Sequence, residues 1–122
     1  MRPDEHDAAL LWDMLEYSRI LGRITVGISY FQYQQNRTLQ LAVERAVEVV
    51  GEAARRVSPA FKEAHPEIPW RGIIAQRNVI THEYGEIKQD RLWVVATQRI
   101  PALIELLQRL ELPPPPSDPE SP

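Results

Sequence analysis

Four polar residues between positions 77 and 84 stand at spacings that could bring them together for chemistry. They are Arg77, Asn78, His82 and Tyr84. On an ideal helix, which turns by about 100° per residue, Asn78 and His82 lie about 100° and 140° round from Arg77. Tyr84 lies about 20° to the other side of Arg77, so one polar arc holds all four. An arginine that grips phosphate oxygens beside a histidine that exchanges protons near neutral pH suits phosphodiester chemistry.

The pair Arg77 and His82 therefore suggests cleavage of RNA without a metal ion. His82 would take the proton from a ribose 2′-hydroxyl, and Arg77 would stabilise the charge that grows on the scissile phosphate. The reaction also needs an acid for the leaving oxygen, and this segment holds a single histidine. Two copies packed around a two-fold axis would supply the second one, so we expect a homodimer with a composite site.

Each of these residues also has an ordinary structural interpretation. An arginine and a histidine five positions apart are common on helices, and Asn78 and His82 could simply hydrogen-bond on a solvated face. Tyr84 could be a partly buried ring with its hydroxyl at the surface.

Other conspicuous side chains are interpreted structurally. His6 and His65 have no ligand spacing for a metal site and are expected to be surface histidines. Trp12, Trp70 and Trp93 lie in separate apolar patterns, which favours packing roles over a platform for stacking bases.

The four polar residues fall in a predicted helix from Trp70 to Tyr84. Pro69 suits the first turn of this helix and Gly85 suits its end. Val79 and Ile80 lie away from the polar arc, where they can anchor the helix to a core.

Two long helices are predicted upstream. One runs from a cap at Asn36 to Ser58-Pro59, because apolar residues recur at spacings of three and four. Its opposite face is expected to be solvated and carries Glu44, Arg45, Glu48, Glu52, Arg55 and Arg56. A first helix of roughly twenty residues is predicted, with Asp4 or one of its neighbours as the cap. The aromatic segment 27–33 could continue that first helix or form a turn.

Prolines determine where helices are predicted to end or break in the rest of the chain. Residues 59–69 contain three prolines and predict a short helical turn followed by an extended link. Asp90 is predicted to cap a final helix that ends near Leu112 and is kinked or split at Pro101. We therefore predict an all-α bundle of four to five helices, up-down, in residues 1–112, followed by a disordered or extended Pro-rich tail in residues 113–122.

Composition narrows the functional classes. Lys and Arg number 14 against 17 Asp and Glu, for a net charge of −3, so any RNA must meet a local cationic site rather than a global positive field. The chain has no cysteine, which excludes disulfides and thiolate zinc sites. No apolar run approaches the ~20 residues that cross a bilayer, so we expect a cytoplasmic protein that does not enter the membrane.

Residues 77–84, Arg-Asn-Val-Ile-Thr-His-Glu-Tyr, resemble the motif of the HepT family, a branch of the HEPN superfamily. That motif reads Arg-Asn, three free residues, His, one free residue and Tyr. Residues 42–54 resemble the second conserved helix of the family, and residues 65–70 resemble the link before its motif helix. The resemblance covers residues 4 to 112 approximately, and it implies a HEPN-type helical bundle.

The resemblance also implies a function. It implies a dimeric ribonuclease toxin that needs no metal or other cofactor, with Arg77, Asn78 and His82 in the catalytic positions. It further implies an antitoxin partner, the ATP-using MntA-type nucleotidyltransferase of type VII toxin–antitoxin systems, which adds AMP to the motif tyrosine, here Tyr84. An added AMP would bring charge and bulk to a cationic cleft and compete with RNA.

Two other functions remain open at this stage. One is a non-catalytic HEPN subunit that binds a nucleotidyltransferase. The other is a structural bundle in which Tyr84 is never modified. Glu83 and Glu86 place negative charge beside the supposed RNA path, which leaves room for a chain that keeps the fold and cuts poorly.

Overall fold

The structure, a computed structural model, describes residues 2–76 and 88–115. Within these residues the chain is helical and contains no strand, which confirms the all-α prediction. A π-helical turn, Val95–Arg99, joins the last two helices. The helices are α1 Glu5–Thr25, α2 Tyr30–Gln34, α3 Arg37–Arg56, α4 Pro59–Ala64, α5 Trp70–Ala75, α6 Gln89–Val94 and α7 Ile100–Gln108. No described helix has both the length and the apolar character to span a membrane.

Helices α1 and α3 form the centre of the bundle. Asp4 caps α1 by accepting from the Asp7 backbone N–H at 2.7 Å, and Asn36 caps α3 by accepting from Leu39 N–H at 3.0 Å, both as predicted. Among the described elements, α1 and α3 pack against each other most extensively. Each large side chain buried there contributes about 1.5–3 kcal/mol to stability. Those with almost no exposure include Leu11, Met14, Leu21, Val43, Val47 and Val50.

The aromatic segment after α1 forms a turn and a short helix. Helix α1 ends at Thr25, and Gly27 takes a φ of +72°, a left-handed conformation that glycine adopts without strain. Ser29 and Gln32 then form a capping box: the Ser29 hydroxyl accepts from Gln32 N–H, and the Gln32 side chain accepts from Ser29 N–H. Helix α2 follows, so the segment turns the chain and does not extend α1.

A buried carboxylate joins the start of α1 to the start of α4. Asp7 accepts from the Ser58 backbone N–H at 2.8 Å and from the Ser58 hydroxyl at 2.6 Å. The Ser58 hydroxyl in turn accepts from Phe61 N–H and caps α4, with Pro59 in its first turn. This contact sets where the chain leaves α3 on its way to α5. The predicted short helical turn followed by a link is confirmed.

The last helical region is interrupted before Pro101, as predicted. In the π-helical turn the Ile100 N–H bonds to the Val95 carbonyl, five residues back, and the Thr97 hydroxyl donates to the Trp93 carbonyl at 2.7 Å. The wider turn lies just before Pro101, which has no N–H to donate.

The N-cap predicted for the final helical region, Asp90, is wrong. Lys88 is the N-cap of α6, and Asp90 lies inside the first turn of that helix. Its carboxylate can there complement the positive end of the helix.

The three tryptophans take the packing roles predicted for them. Trp70 is buried, and Trp12 and Trp93 are partly buried against the core. Trp93 is not isolated, since its ring lies 4.8 Å from that of Tyr33 and 6.2 Å from that of Tyr30.

Candidate active site

The predicted site residues Arg77, Asn78, His82 and Tyr84 all fall in residues 77–87, outside the described part of the chain. The described residues define the two elements that flank this segment. Helix α5 confirms the predicted motif helix over Trp70–Ala75 and is followed by Gln76, a buried residue next to Arg77 in the chain. Pro69 is the N-cap of α5, one position before the first turn predicted for it.

Helix α5 is held by contacts with α4 and α3. The Trp70 indole N–H donates to the His65 carbonyl at 3.0 Å, and its ring packs edge-on against Phe61. Ile73 is buried, and α5 packs against α3. His65, predicted to be an ordinary surface residue, has a side chain only 18% exposed, because it stacks on Phe61 and pairs with Glu67 at 2.9 Å. The helix that leads into Arg77 therefore has a fixed position.

A groove with a volume of about 410 Å³ lies between α5 and α6. Among the residues that the structure describes, two exposed guanidinium groups, Arg91 and Arg99, and one carboxylate, Asp90, line it, so this described part of the lining is net positive in an acidic chain. Gln76, the last described residue before position 77, and Asp90, in the first turn of α6, both belong to this lining. The remaining lining residues are Gly72, Ala75, Val94 and Val95.

A set of buried polar contacts fixes the start of α6. The Gln89 side-chain N–H donates to Glu44 Oε2 at 2.7 Å, and the Gln89 side-chain oxygen accepts from the Tyr33 hydroxyl. Arg37 donates to the same Glu44 oxygen at 3.0 Å. Because both polar atoms of the Gln89 amide are bonded to other helices, the point where the chain returns from residues 77–87 is tied to α2 and α3.

The sequence places Glu44 on the solvated face of α3, and this prediction is wrong. Glu44 is only 8% exposed. Periodicity within α3 describes one helix at a time, whereas α6 covers this part of the face and brings Gln89 to the carboxylate. A sequence signal did exist: Arg37 and Glu44 are seven residues, two helical turns, apart and therefore share a face. The roles of Tyr33 and Gln89 had no comparable signal.

Tyr33 makes the free energy of unfolding sensitive to alkaline pH. Burial, followed by the nearby Glu44 carboxylate, raises the pKa of Tyr33 well above its ordinary value. The folded chain thus keeps a proton that the unfolded chain loses near pH ~10, and the unfolding free energy should fall by about 1.4 kcal/mol per pH unit above that value. Denaturation of the wild type and Tyr33→Phe at several pH values above and below ~10 measures this. Above pH ~10, the unfolding free energy of Tyr33→Phe should fall less per pH unit than that of the wild type. Equal slopes would contradict the raised pKa of Tyr33.

In the described ranges, 2–76 and 88–115, no three His, Asp or Glu side chains cluster in a way that could hold a metal ion. The polar groups near the groove are instead guanidinium, amide and carboxylate groups. Guanidinium groups there can bind phosphate oxygens in a fork.

Comparison with known proteins relates most of the chain to one family. Residues 14–110, which include residues 77–84, match the family model described as "Ribonuclease HepT-like". A Methanocaldococcus jannaschii protein named "Putative RNase" is 33% identical over 95 residues, with 78% of this chain and 87% of that protein covered. A Thermococcus cleftensis protein named "Probable ribonuclease HepT" is 32% identical over 100 residues, with 82% and 91% covered. No solved structure matches.

Proposed function

Because the chain belongs to the HepT-like ribonuclease family, we propose that it is a ribonuclease whose active site is formed by Arg77, Asn78 and His82. The observation that carries this proposal is the family match over residues 14–110, which spans all three residues. The names of its relatives, which are ribonuclease names, support it.

The proposed reaction is a transesterification within RNA. His82 removes the 2′-hydroxyl proton, the 2′-oxygen attacks the neighbouring phosphorus, and the bond from phosphorus to the 5′-oxygen breaks. Arg77 stabilises the charge on the phosphate oxygens, and Asn78 is a further hydrogen-bond donor in the same arc. His82 of a second copy, in its protonated form, donates a proton to the leaving 5′-oxygen. The products are a 2′,3′-cyclic phosphate and a free 5′-hydroxyl. One histidine gains the proton of the 2′-hydroxyl and the other gives a proton to the 5′-oxygen, so the protons balance.

The groove between α5 and α6 offers a path for RNA up to the motif. Arg91 and Arg99 line it, and so does Gln76, which directly precedes Arg77 in the chain. A chain with a net charge of −3 needs such a local cationic surface to bind a polyanion. Arg91 and Arg99 would contact phosphates that flank the cleaved bond.

Replacing Arg91 and Arg99 together with alanine should weaken RNA binding and reduce its salt dependence. Each lost contact to single-stranded RNA should lower the slope of log affinity against log salt by about 0.7. Fluorescence anisotropy with a short labelled RNA, in a His82→Ala background that prevents turnover, measures both quantities. The matched control is Arg45→Ala with Arg55→Ala, which removes the same charge from the outer face of α3. An equal loss in the control would show that only net charge matters.

The biological role proposed for this ribonuclease is that of a toxin in a type VII toxin–antitoxin system. Its partner would be an MntA-type nucleotidyltransferase that uses ATP to add AMP to Tyr84. Tyr84 stands two residues after His82, so an added AMP would place a phosphate at the rim of the same cleft. Negative charge and bulk there would exclude the RNA backbone and silence the toxin.

A non-catalytic HEPN subunit that binds a nucleotidyltransferase is the alternative function. The acidic residues Glu83 and Glu86, on either side of Tyr84 and Gly85, favour it, because they place like charge where RNA would approach.

Incubation of the purified chain with RNA in the presence of EDTA tests the proposal. Cleavage that leaves 2′,3′-cyclic phosphate ends is the expected result, since no step uses a metal ion. A chain that forms a stable complex with a nucleotidyltransferase and leaves RNA intact, with and without added divalent ions, would establish the alternative.

A further inference from the structure

The first residues of the proline-rich tail lie against α1. The Trp12 indole N–H donates to the Pro113 carbonyl at 2.7 Å, one residue beyond Leu112, which packs on the core. Pro115 then helps to line a cavity of about 580 Å³ on the surface of α1. A tryptophan N–H bonded to a carbonyl of a proline-rich segment is typical of grooves that recognise polyproline II helices.

The α1 side of this cavity is a single stripe of residues. Trp12, Glu16, Arg19 and Arg23 follow one another at spacings of four, three and four, so they share one face of the helix. The stripe is acidic near Trp12, where Asp13 and Glu16 lie, and basic farther along at Arg19 and Arg23. We call it the α1 stripe.

The tail carries the complementary order of charges. Residues 113–116 are all proline and uncharged, and Asp118 and Glu120 follow. Desolvation, with Glu16 second, raises the pKa of the Asp13 carboxyl, so this end of the cavity disfavours a further negative charge. The tail thus begins with uncharged residues, of which Pro113 and Pro115 lie beside the acidic end of the stripe, and its two carboxylates come later in the sequence.

The length of an extended tail also matches the distance along α1 from Trp12 to the two arginines. A polyproline II segment advances about 3.1 Å per residue, so a tail in that conformation would place Asp118 ~15 Å from Pro113. A helix rises 1.5 Å per residue, so Arg23 lies ~16 Å along α1 from Trp12, and Arg19 ~10 Å. An extended tail that starts at Trp12 and runs toward the end of α1 therefore delivers Asp118 and Glu120 to the two arginines.

Both arginines are available for such contacts. Arg19 and Arg23 are exposed, and within the part of the chain that the structure describes no carboxylate forms an ion pair with either.

We propose that residues 116–122 dock on the α1 stripe, with Asp118 and Glu120 against Arg19 and Arg23, as a continuation of the Trp12–Pro113 contact. The tail then acts as an internal ligand of this surface. Any proline-rich or acidic segment of another protein must displace it to bind there. This inference does not depend on ribonuclease activity.

A spin label on the tail tests the docking in the intact chain. The chain has no cysteine, so Ser121→Cys carries a nitroxide at one defined position. The label should broaden backbone amide resonances in the second half of α1, around Arg19 and Arg23, relative to the reduced label. The same label in an Arg19→Glu, Arg23→Glu chain is the matched control and should broaden them about fivefold less, since it loses two exposed ion pairs.

Two further experiments complete the test: reversal of the tail charges in the Arg19→Glu, Arg23→Glu chain, and mixing of spin-labelled with unlabelled chains. Asp118→Lys with Glu120→Lys should restore the broadening in the Arg19→Glu, Arg23→Glu chain and should abolish it in the wild-type background. No broadening in α1 would overturn the proposal, and so would broadening that is insensitive to charge reversal. A labelled chain mixed with unlabelled, ¹⁵N-enriched chains should give none. Broadening in that mixture would mean that the tail binds a second copy and would also overturn it.

Discussion

Replacing His82 with alanine should lower the rate of RNA cleavage by a factor of about 10² to 10⁴, the usual contribution of a general acid or base. The loss is expected in the single-turnover rate and not in RNA affinity, because His82 acts on the moving proton. Arg77→Ala should cost a factor of about 10² to 10³, since it removes the charge that stabilises the phosphate in the transition state. Both variants should also relieve growth inhibition in cells that express the chain.

His6→Ala is the control for this experiment, because His6 is exposed near the start of α1 and far along the chain from the motif. Thermal unfolding monitored by circular dichroism should show that His82→Ala and Arg77→Ala remain folded. Cleavage or toxicity that survives both changes in folded protein would remove the proposed active site.

A composite site also has a quantitative consequence for mixtures. If each cleavage uses His82 from two copies, a heterodimer with one His82→Ala subunit is inactive. Random assembly of equal amounts of wild type and variant then leaves about one quarter of the dimers intact, so the activity per chain falls to about one quarter. Independent sites would retain about one half.

Replacing Tyr84 with phenylalanine should prevent the proposed addition of AMP altogether. Phenylalanine lacks the hydroxyl that would attack the α-phosphate of ATP, so the intact mass of the variant should stay unchanged after incubation with ATP and an MntA-type nucleotidyltransferase. The wild-type chain should gain one or more AMP units, and its RNA cleavage should fall as they accumulate, because each unit adds phosphate charge near the cleft.

Tyr17→Phe is the matched control. Tyr17 lies on α1, so this substitution removes the same hydroxyl group from another part of the chain. It should be modified and silenced like the wild type. Tyr84→Phe should keep its ribonuclease activity and resist the partner. An AMP mass that persists in Tyr84→Phe would place the modification on another residue and separate the regulatory proposal from the catalytic one.

Much of the fold follows from local patterns in the sequence. Asp4 and Asn36 cap the helices predicted behind them, and the break before Pro101 occurs where a missing backbone donor requires it. These features depend on residues within about five positions of one another, so periodicity and capping rules reach them. The predicted N-cap, Asp90, lies two residues after the actual N-cap, Lys88. Helix boundaries are uncertain by one or two residues because several positions near a helix start satisfy the same rule.

Contacts between distant residues were beyond such rules. Tyr33 and Gln89 are 56 positions apart, and Glu44 and Gln89 are 45 apart, yet the three form one buried polar cluster. The sequence of α3 alone makes Glu44 look like a solvated residue, because nothing within α3 reports that α6 lies over it. The groove lined by Arg91 and Arg99 is equally invisible before α5 and α6 are placed side by side.

The sequence by itself determined that this chain is helical and where its two long helices begin, and it supplied the hypothesis that Arg77, Asn78, His82 and Tyr84 act in phosphodiester chemistry. These inferences depend only on the types of side chains and on their short separations along the sequence. Only the tertiary structure decided that Gln89 bridges Tyr33 and Glu44, that Arg91 and Arg99 line a groove together with Gln76, and that Trp12 donates to the Pro113 carbonyl. These depend on which helices become neighbours, and that choice is made by the burial of apolar surface across the whole chain, not by any local run of residues.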